Sequence, residues 1–426
     1  MLRVALKMLL GDRAKYVGLL FGITFTSFLV TFAASYFCGF MTRGFALIAE
    51  NLAANVWVMD PAVGSAEQTT NMPADALDRV RSVEGVLSAV PLAVGTAEVR
   101  FPNGHFQIFQ IIGVDDATLS SIPPLKDGVS PVVLRSPDAA IVDPGGTEGK
   151  LETPILAADR WPTEPHLNAP TRSLNAGDEL LVNDHRVKIV GRSEALPRYP
   201  PRPLLYTTFA NANRVLLPER HRLTFVLATA APGVVPNELA ARIQARTGLK
   251  ARTSADFKAD TVWWFMVNSE DVGDIGAMLS LAMSVGFGLT GVMLYMFTTE
   301  ALRQYAVLKA MGATPRLLLA MIFVQAGLCA LIGTGLGLGL CAIIGRIAAG
   351  ADYPFRMMWF TPLVGGMMVL AVRIVAAGIS ARPVLKLEPA MVFGDKRSPV
   401  LFDLAFCGKG KTVTNRVGSR TSLDVS

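Results

Sequence analysis

From Tyr16 to Phe40 the chain carries no charged side chain. A helix that crosses a bilayer needs about 20 mostly apolar residues, since the hydrocarbon layer is about 30 Å thick. Three further apolar runs follow much later, at Val272–Thr298, Leu317–Ile344 and Trp359–Ser380. The first run is too long for the apolar core of a cleavable signal, and Tyr36, Phe37 and Phe40 are not the small residues of a cleavage site. It is expected to stay as an anchor. Only 17% of the whole chain is charged, against about 25% in soluble domains. The deficit sits in the four runs, while the long section between the first and second is ordinary in charge. The fold class expected is therefore a membrane protein: four transmembrane α-helices and a large α+β extracytoplasmic domain between helices 1 and 2.

Charge sets the orientation, because short loops rich in Lys and Arg stay on the cytoplasmic side. Residues 1–15 hold Arg3, Lys7, Arg13 and Lys15 against Asp12. Residues 299–316 hold Arg303, Lys309 and Arg316 against Glu300, and residues 381–426 form a strongly basic tail. Residues 345–358 are the least basic, with Arg346 and Arg356 against Asp352. The expected layout is a basic amphipathic start (1–15), spans at 16–40, 272–298, 317–344 and 359–380, and segments 41–271 and 345–358 outside. Both ends and 299–316 then face the cytoplasm, in a multi-pass protein of the bacterial inner membrane. The net charge of +6 is accounted for by these flanks, so no nucleic-acid partner is expected.

Chemistry-bearing patterns are scarce. The cysteines Cys38, Cys329, Cys341 and Cys407 form no CxxC pair, and His105, His166, His185 and His221 are scattered. No metal site, no GxSxG and no catalytic constellation is expected. Residues 405–412 (AFCGKGKT) approach a phosphate-binding loop, but Ala405 replaces its first glycine and too little chain follows for the helix and sheet that such a loop needs. The expectation is a chain without cofactor of its own.

Within 41–271 the pattern alternates. Asn55–Met59 reads as a strand and Pro73–Arg81 as a helix. Gly85–Pro91 and Ala97–Phe101 read as two extended segments. Phe106–Val114 follows an Asn103-Gly104 turn, and Glu179–Val182 pairs with Arg186–Val190 around Asn183-Asp184. Residues 123–175 read as irregular. Leu223–Ala228 and Leu249–Arg252 read as strands, with a helix at Pro236–Thr247 between them. From Ser254 a helical pattern runs through Trp263, Trp264 and Phe265 into the second span, with no break signal before Gly273. That predicts a continuous stalk. In the third span Gly333, Gly335, Gly337 and Gly339 make two overlapping GxxxG pairs, which let helix backbones approach closely. The pattern leaves open whether the partner helix lies in the same chain.

The loop between the second and third spans reads TEALRQYAVLKAMGATPR. Ala301, Tyr305, Leu308 and Met311 recur at helical spacing, Arg303 and Lys309 lie on other faces, and Gly312 ends the helix. The stretch Glu300–Leu319 resembles the loop of FtsX-like (MacB-type) permeases of ABC transporters, and ARPVLKLEPAMVFG (Ala381–Gly394) resembles their closing motif. Gln304 stands where the family carries an acidic residue, so a role tied to that charge does not carry over. The stretch DTVWWFMVNSEDVGDIGAML together with this loop is most similar to the subgroup typified by the heterocyst glycolipid exporter.

The resemblance implies a non-catalytic permease subunit and a separate cytoplasmic ATPase that binds ATP and Mg. It also implies a homodimer or a pair with a paralogous permease, set in membrane lipid. A periplasmic membrane-fusion protein and an outer-membrane channel are further implied partners. Glu300, Ala301, Arg303, Tyr305, Leu308, Lys309, Met311 and Gly312 would form the helix that couples ATP hydrolysis to motion of the outer domain. The cargo would be lipid-like or otherwise amphiphilic. The alternative is a non-transporting regulator of periplasmic cell-wall hydrolases; a sensor with an outer ligand domain fits poorly, because no output domain is seen.

Overall fold

The structure, a computed structural model, describes residues 13–51, 53–147, 149–155, 167, 169–216, 223–300, 306–309, 311–351 and 353–385. A long helix α1 (Arg13–Gly44) and a short α2 (Ala46–Glu50) lead into a mixed domain. Its first half holds β1 (Val56–Met59), α3 (Ala76–Arg81), β2 (Val86–Arg100), β3 (Phe106–Val114), β4 (Ala139–Asp143), β5 (Glu152–Pro154) and β6 (Thr171–Ser173). Its second half holds β7 (Glu179–Val182), β8 (His185–Arg192), β9 (Leu204–Thr208), α4 (Phe209–Val215), β10 (Phe225–Ala230), α5 (Pro236–Thr247) and β11 (Lys250–Thr253). Then come α6 (Ser254–Asn268), α7 (Glu270–Glu300), α8 (Pro315–Gly350) and α9 (Thr361–Leu385).

Nine strands form one sheet in the order β11-β1-β10-β2-β3-β9-β4-β8-β7, and β7 pairs again with β2 at Val99↔Val182. That second pairing closes β2, β3, β9, β4, β8 and β7 into a barrel, which leaves no free edge on that side. Its interior is packed by Val99, Phe109, Ile111, Val142, Ile189 and Leu205. The remaining strands, β10, β1 and β11, extend from the other half of β2. Trp57, Phe225 and Phe257 of α6 pack on one side of this extension, and Val80, Leu239 and Ile243 of α3 and α5 on the other.

Strand β2 belongs to both parts. Up to Leu92 it pairs with β10, and from Ala93 onward with β3. Where it changes partner, the Thr224 hydroxyl accepts from Val94 N (3.0 Å) and donates to Val94 O (3.1 Å). The two extended segments Gly85–Pro91 and Ala97–Phe101 are thus one strand, which corrects the sequence reading. Pro91 and Gly95 look like breakers locally, but Pro91 pairs with Val226 and Gly95 gives room to the Leu216 side chain. The irregular reading of 123–175 is also corrected at β4, whose five residues are all buried between β8 and β9. Both hairpins take their turn chemistry from the sequence. Asn183 and Asp184 have φ of 47° and 65°, the double positive φ of a type I′ turn, and Gly104 has φ 82°.

The helical part is built around α1, which packs along α7, α8 and α9. Three helices among the described residues are long and apolar enough to cross a membrane: Tyr16–Gly44, Glu270–Met293 and Gly327–Gly350, with mean hydropathies of 2.0, 1.7 and 2.1. In α9 the described apolar stretch is Thr361–Ala371. The predicted continuous stalk is corrected: α6 and α7 are separate helices, divided at Ser269, whose φ and ψ of −97° and 124° are extended. Asn268 Nδ2 donates back to Trp264 O and Ser269 N to Phe265 O, closing α6. Glu270 and Asp271 then open α7, where negative charge suits the positive end of the helix dipole.

Candidate functional site

Two places join the parts of the fold: the turn between α7 and α8, and the junction where the sheet domain meets the helices. At the turn, Glu300 ends α7, while Ala301, Arg303 and Tyr305 lie outside the described residues. Residues 306–309 are helical; Ala306 is buried, and Leu308 and Lys309 are half-buried. The helix closes in a Schellman motif: Gly312, at φ +95°, donates to Lys309 O (3.0 Å) and Ala313 N to Leu308 O (3.0 Å). Only glycine adopts that φ without steric cost. The closure holds Met311 and Val307 outward, 71% and 42% exposed. Two apolar side chains are thereby held out on a rigid turn.

The glycines of α8 divide by face. A Cβ on Gly333 would meet Ile23 Cγ2 at 2.1 Å, and one on Gly337 would meet Thr24 O at 2.6 Å. Gly335 and Gly339 face open space. The pair at 333 and 337 therefore seats α8 on α1 of the same chain. Two contacts of the same kind escaped sequence reasoning: Gly286 of α7 against Thr26, and Gly365 of α9 against Thr31. The small buried residues Thr26, Ser27, Thr31 and Ser35 were their signal on α1.

At the junction, residues 193–203 (SEALPRYPPRP) run across the base of the sheet domain and touch several elements at once. Asp143, at the end of β4, accepts from Gly145 N (2.8 Å), Ala195 N (2.8 Å) and Ser193 Oγ (3.1 Å). Burial nevertheless pushes its carboxyl above the ordinary range, against those donors and the Arg198 charge. Arg198, 1% exposed, pairs with Glu50 at the end of α2 and donates to Tyr206 Oη (3.0 Å) on β9. Leu196 N donates to the other Glu50 oxygen (2.5 Å). Arg202 pairs with Glu67, whose carboxyl is raised by burial and partly held down by Arg202 and Arg198. Tyr199 packs its ring on Phe40 of α1 (4.2 Å) and near Phe265 of α6 (6.1 Å), and its hydroxyl donates to Asp271 in the first turn of α7. Burial and that carboxylate push the Tyr199 phenol up. This strap therefore ties β4 and β9 to α1, α2 and α7. The sequence holds no signal for it, because its partners lie far away along the chain.

Beside the strap, an apolar cavity of about 610 Å³ opens between α1, α6, α7 and the stretch leading into α9. Among the described residues no group of His, Cys, Asp and Glu is placed to hold a metal ion.

Residues 276–389, which begin in α7 and run through the turn, α8 and α9, match the family described as FtsX-like permease C-terminal. An uncharacterized ABC transporter permease of Mycobacterium bovis is 25% identical over 260 residues, covering 59% of this chain and 68% of that one. Another, of Mycobacterium tuberculosis, is 23% identical over the same shares. Among solved structures, the periplasmic region of MacB from Actinobacillus actinomycetemcomitans aligns at 10% identity with a TM-score of 0.33, covering 49% of this chain and 92% of that one. The extracellular domain of the noncanonic ABC-type transporter YknZ from Gram-positive bacteria aligns at 13% with a TM-score of 0.31, covering 47% and 98%.

Proposed function

We propose that this chain is the membrane-spanning permease subunit of an ABC transporter. In this reading a separate cytoplasmic ATPase docks on the turn around Leu308 and Met311, and its motion reaches the sheet domain. The match of residues 276–389 to the FtsX-like permease C-terminal family supports the proposal, since that segment contains the turn, most of α7 and all of α8. The geometry supports a route for the motion. A push on the turn displaces α7 and α8, which both pack on α1. At the far end of α7, Asp271 holds Tyr199 of the strap, so displacement of α7 pulls on the sheet domain through side chains rather than through an unbroken stalk.

The reading places the chain in the inner membrane with the sheet domain outside, and working as a dimer or with a paralogous permease. The work done would be export or extraction of an amphiphile. The alternative, regulation of cell-wall hydrolases, has no observation of its own in its favour.

Met311→Glu tests the docking step. Met311 is exposed, so the substitution leaves the core untouched, while a charge placed in a closed apolar contact is costly. The variant should insert and purify normally but lose at least tenfold in co-purification with its ATPase, together with transport. Full retention of the ATPase and of activity would refute the assignment.

A further inference from the structure

The apolar cavity at the junction lies beside the proposed coupling route, with Val272, Ile275 and Leu279 of α7 in its lining. It follows α1 from Ala33 to the turn residue Phe45 just beyond its end, about 18 Å at 1.5 Å rise per residue. Its inner half is lined by Ala33 and Phe37 of α1 and Leu279 of α7, within helices long and apolar enough to cross a membrane. Its outer half is covered by Val262 and Met266 of α6, which belongs to the sheet domain. One apolar surface thus passes from the membrane helices to the base of the sheet domain. Along the chain, the polar residues Asn268, Glu270 and Asp271 stand between the cavity residues Met266 of α6 and Val272 of α7. Bilayer lipid accounts for an apolar lining in the inner half but not in the outer half, where Met266 is 47% exposed.

The size and the charge select an occupant. About 610 Å³ lies within the range of about 300–1,000 Å³ for small-molecule sites. An extended alkyl chain fits. At the outer end the Lys258 ammonium stands 5.9 Å from the centroid of the Phe45 ring, and Phe45, the turn residue between α1 and α2, lines the cavity. Nearby Asp260 is held by Lys250 (3.3 Å) and Arg252 (3.0 Å), so Lys258 stays open to an added anion.

We propose that this groove binds one acyl chain of an anionic amphiphile, with the chain between α1, α6 and α7 and the head group beside Lys258. The site deepens the permease reading and rests on it for its purpose: the chain is drawn out of the bilayer along a surface that ends at the sheet domain.

The experiment uses the full-length protein in phosphatidylcholine nanodiscs, labelled with a fatty acid that carries a diazirine near its methyl end. Crosslinks should concentrate on Ala33–Phe45 and Val262–Met266. Gly276 lines the groove and has no atom within 4 Å of an added Cβ, so Gly276→Leu fills the space without a clash. It should cut labelling at least tenfold, and Ala34→Leu gives a second test of the same filling. Lys258→Gln should cut labelling by the fatty acid severalfold. It should leave labelling by a matching diazirine alkyl alcohol unchanged, which separates the head-group contact from the chain contact. ATPase co-purification is read in the same samples, so failure of this site and failure of the permease reading are distinguishable. Labelling spread evenly over the exposed faces of α7 and α8 would mean bulk lipid only and overturn the proposal. So would labelling insensitive to Gly276→Leu and Ala34→Leu.

Discussion

Arg198 stands at the centre of the junction with its guanidinium almost wholly buried, held by Glu50 and Tyr206. Removing one partner of a buried ion pair leaves an uncompensated charge, which costs about 3–5 kcal/mol, whereas replacing both by apolar residues is often neutral. Arg198→Met should therefore lower stability by about that much in thermal denaturation of the purified protein. Adding Glu50→Leu should recover a large share. Glu67 makes a pH-dependent contribution with a definite sign. Burial raises its carboxyl above the ordinary glutamate value of 4.5. Between that value and the raised one the folded chain holds a proton that the unfolded chain has lost. This stabilisation is complete below 4.5 and disappears as pH rises through the folded value. Asp143, raised for the same reason, acts with the same sign. Melting temperatures followed upward from pH 4.5 should fall less steeply in Glu67→Gln than in the parent.

On the scale of elements, α8 shows two glycine pairs in one motif with different tasks. Gly333 and Gly337 meet α1 at distances that admit no Cβ, while Gly335 and Gly339 meet nothing. Gly333→Ala and Gly337→Ala should each force α8 away from α1 and weaken the folded protein. The same change at 335 or 339 should be tolerated or mildly favourable, since alanine is preferred to glycine in a helix by about 1 kcal/mol. Thermal shift of the four variants in one detergent separates the two pairs, and equal losses at all four would refute the division. The GxxxG spacing was visible in the sequence, but not which pair faces a helix, because that depends on the rotation of α8 about its axis. The hairpins were legible because Asn103-Gly104 and Asn183-Asp184 set their turns locally. Strand β2 was not legible as one strand, because Pro91 and Gly95 signal a break that the pairing with β10 and β3 overrides.

For the whole molecule the proposed arrangement puts the sheet domain and the α7–α8 turn on opposite sides of a membrane. In a cysteine-free background, Ser120→Cys and Thr314→Cys, both at exposed positions, report on the two sides. An impermeant thiol reagent should label Ser120→Cys in intact cells and Thr314→Cys only after permeabilisation; the reverse pattern would invert the topology. The helical pattern after Ser254 suggests a stiff rod, yet the helix breaks at Ser269, and in the proposed coupling α7 reaches the sheet domain through Tyr199 and the strap.

The amino-acid sequence by itself determined the apolar helices, the charged flanks and the local turns, because hydropathy, charge and turn chemistry act over a few neighbouring residues. It also carried the motif at Glu300–Leu319 that resembles FtsX-like permeases. Only the tertiary structure decided that β7 returns to β2 and closes the barrel, and that Gly333 and Gly337 seat α8 on α1. It alone brought Glu50, Glu67, Asp143 and Asp271 to one strap. Each of these joins residues far apart in the chain. Their partners are selected by burial and fit in the folded molecule, and no spacing along the sequence records that choice.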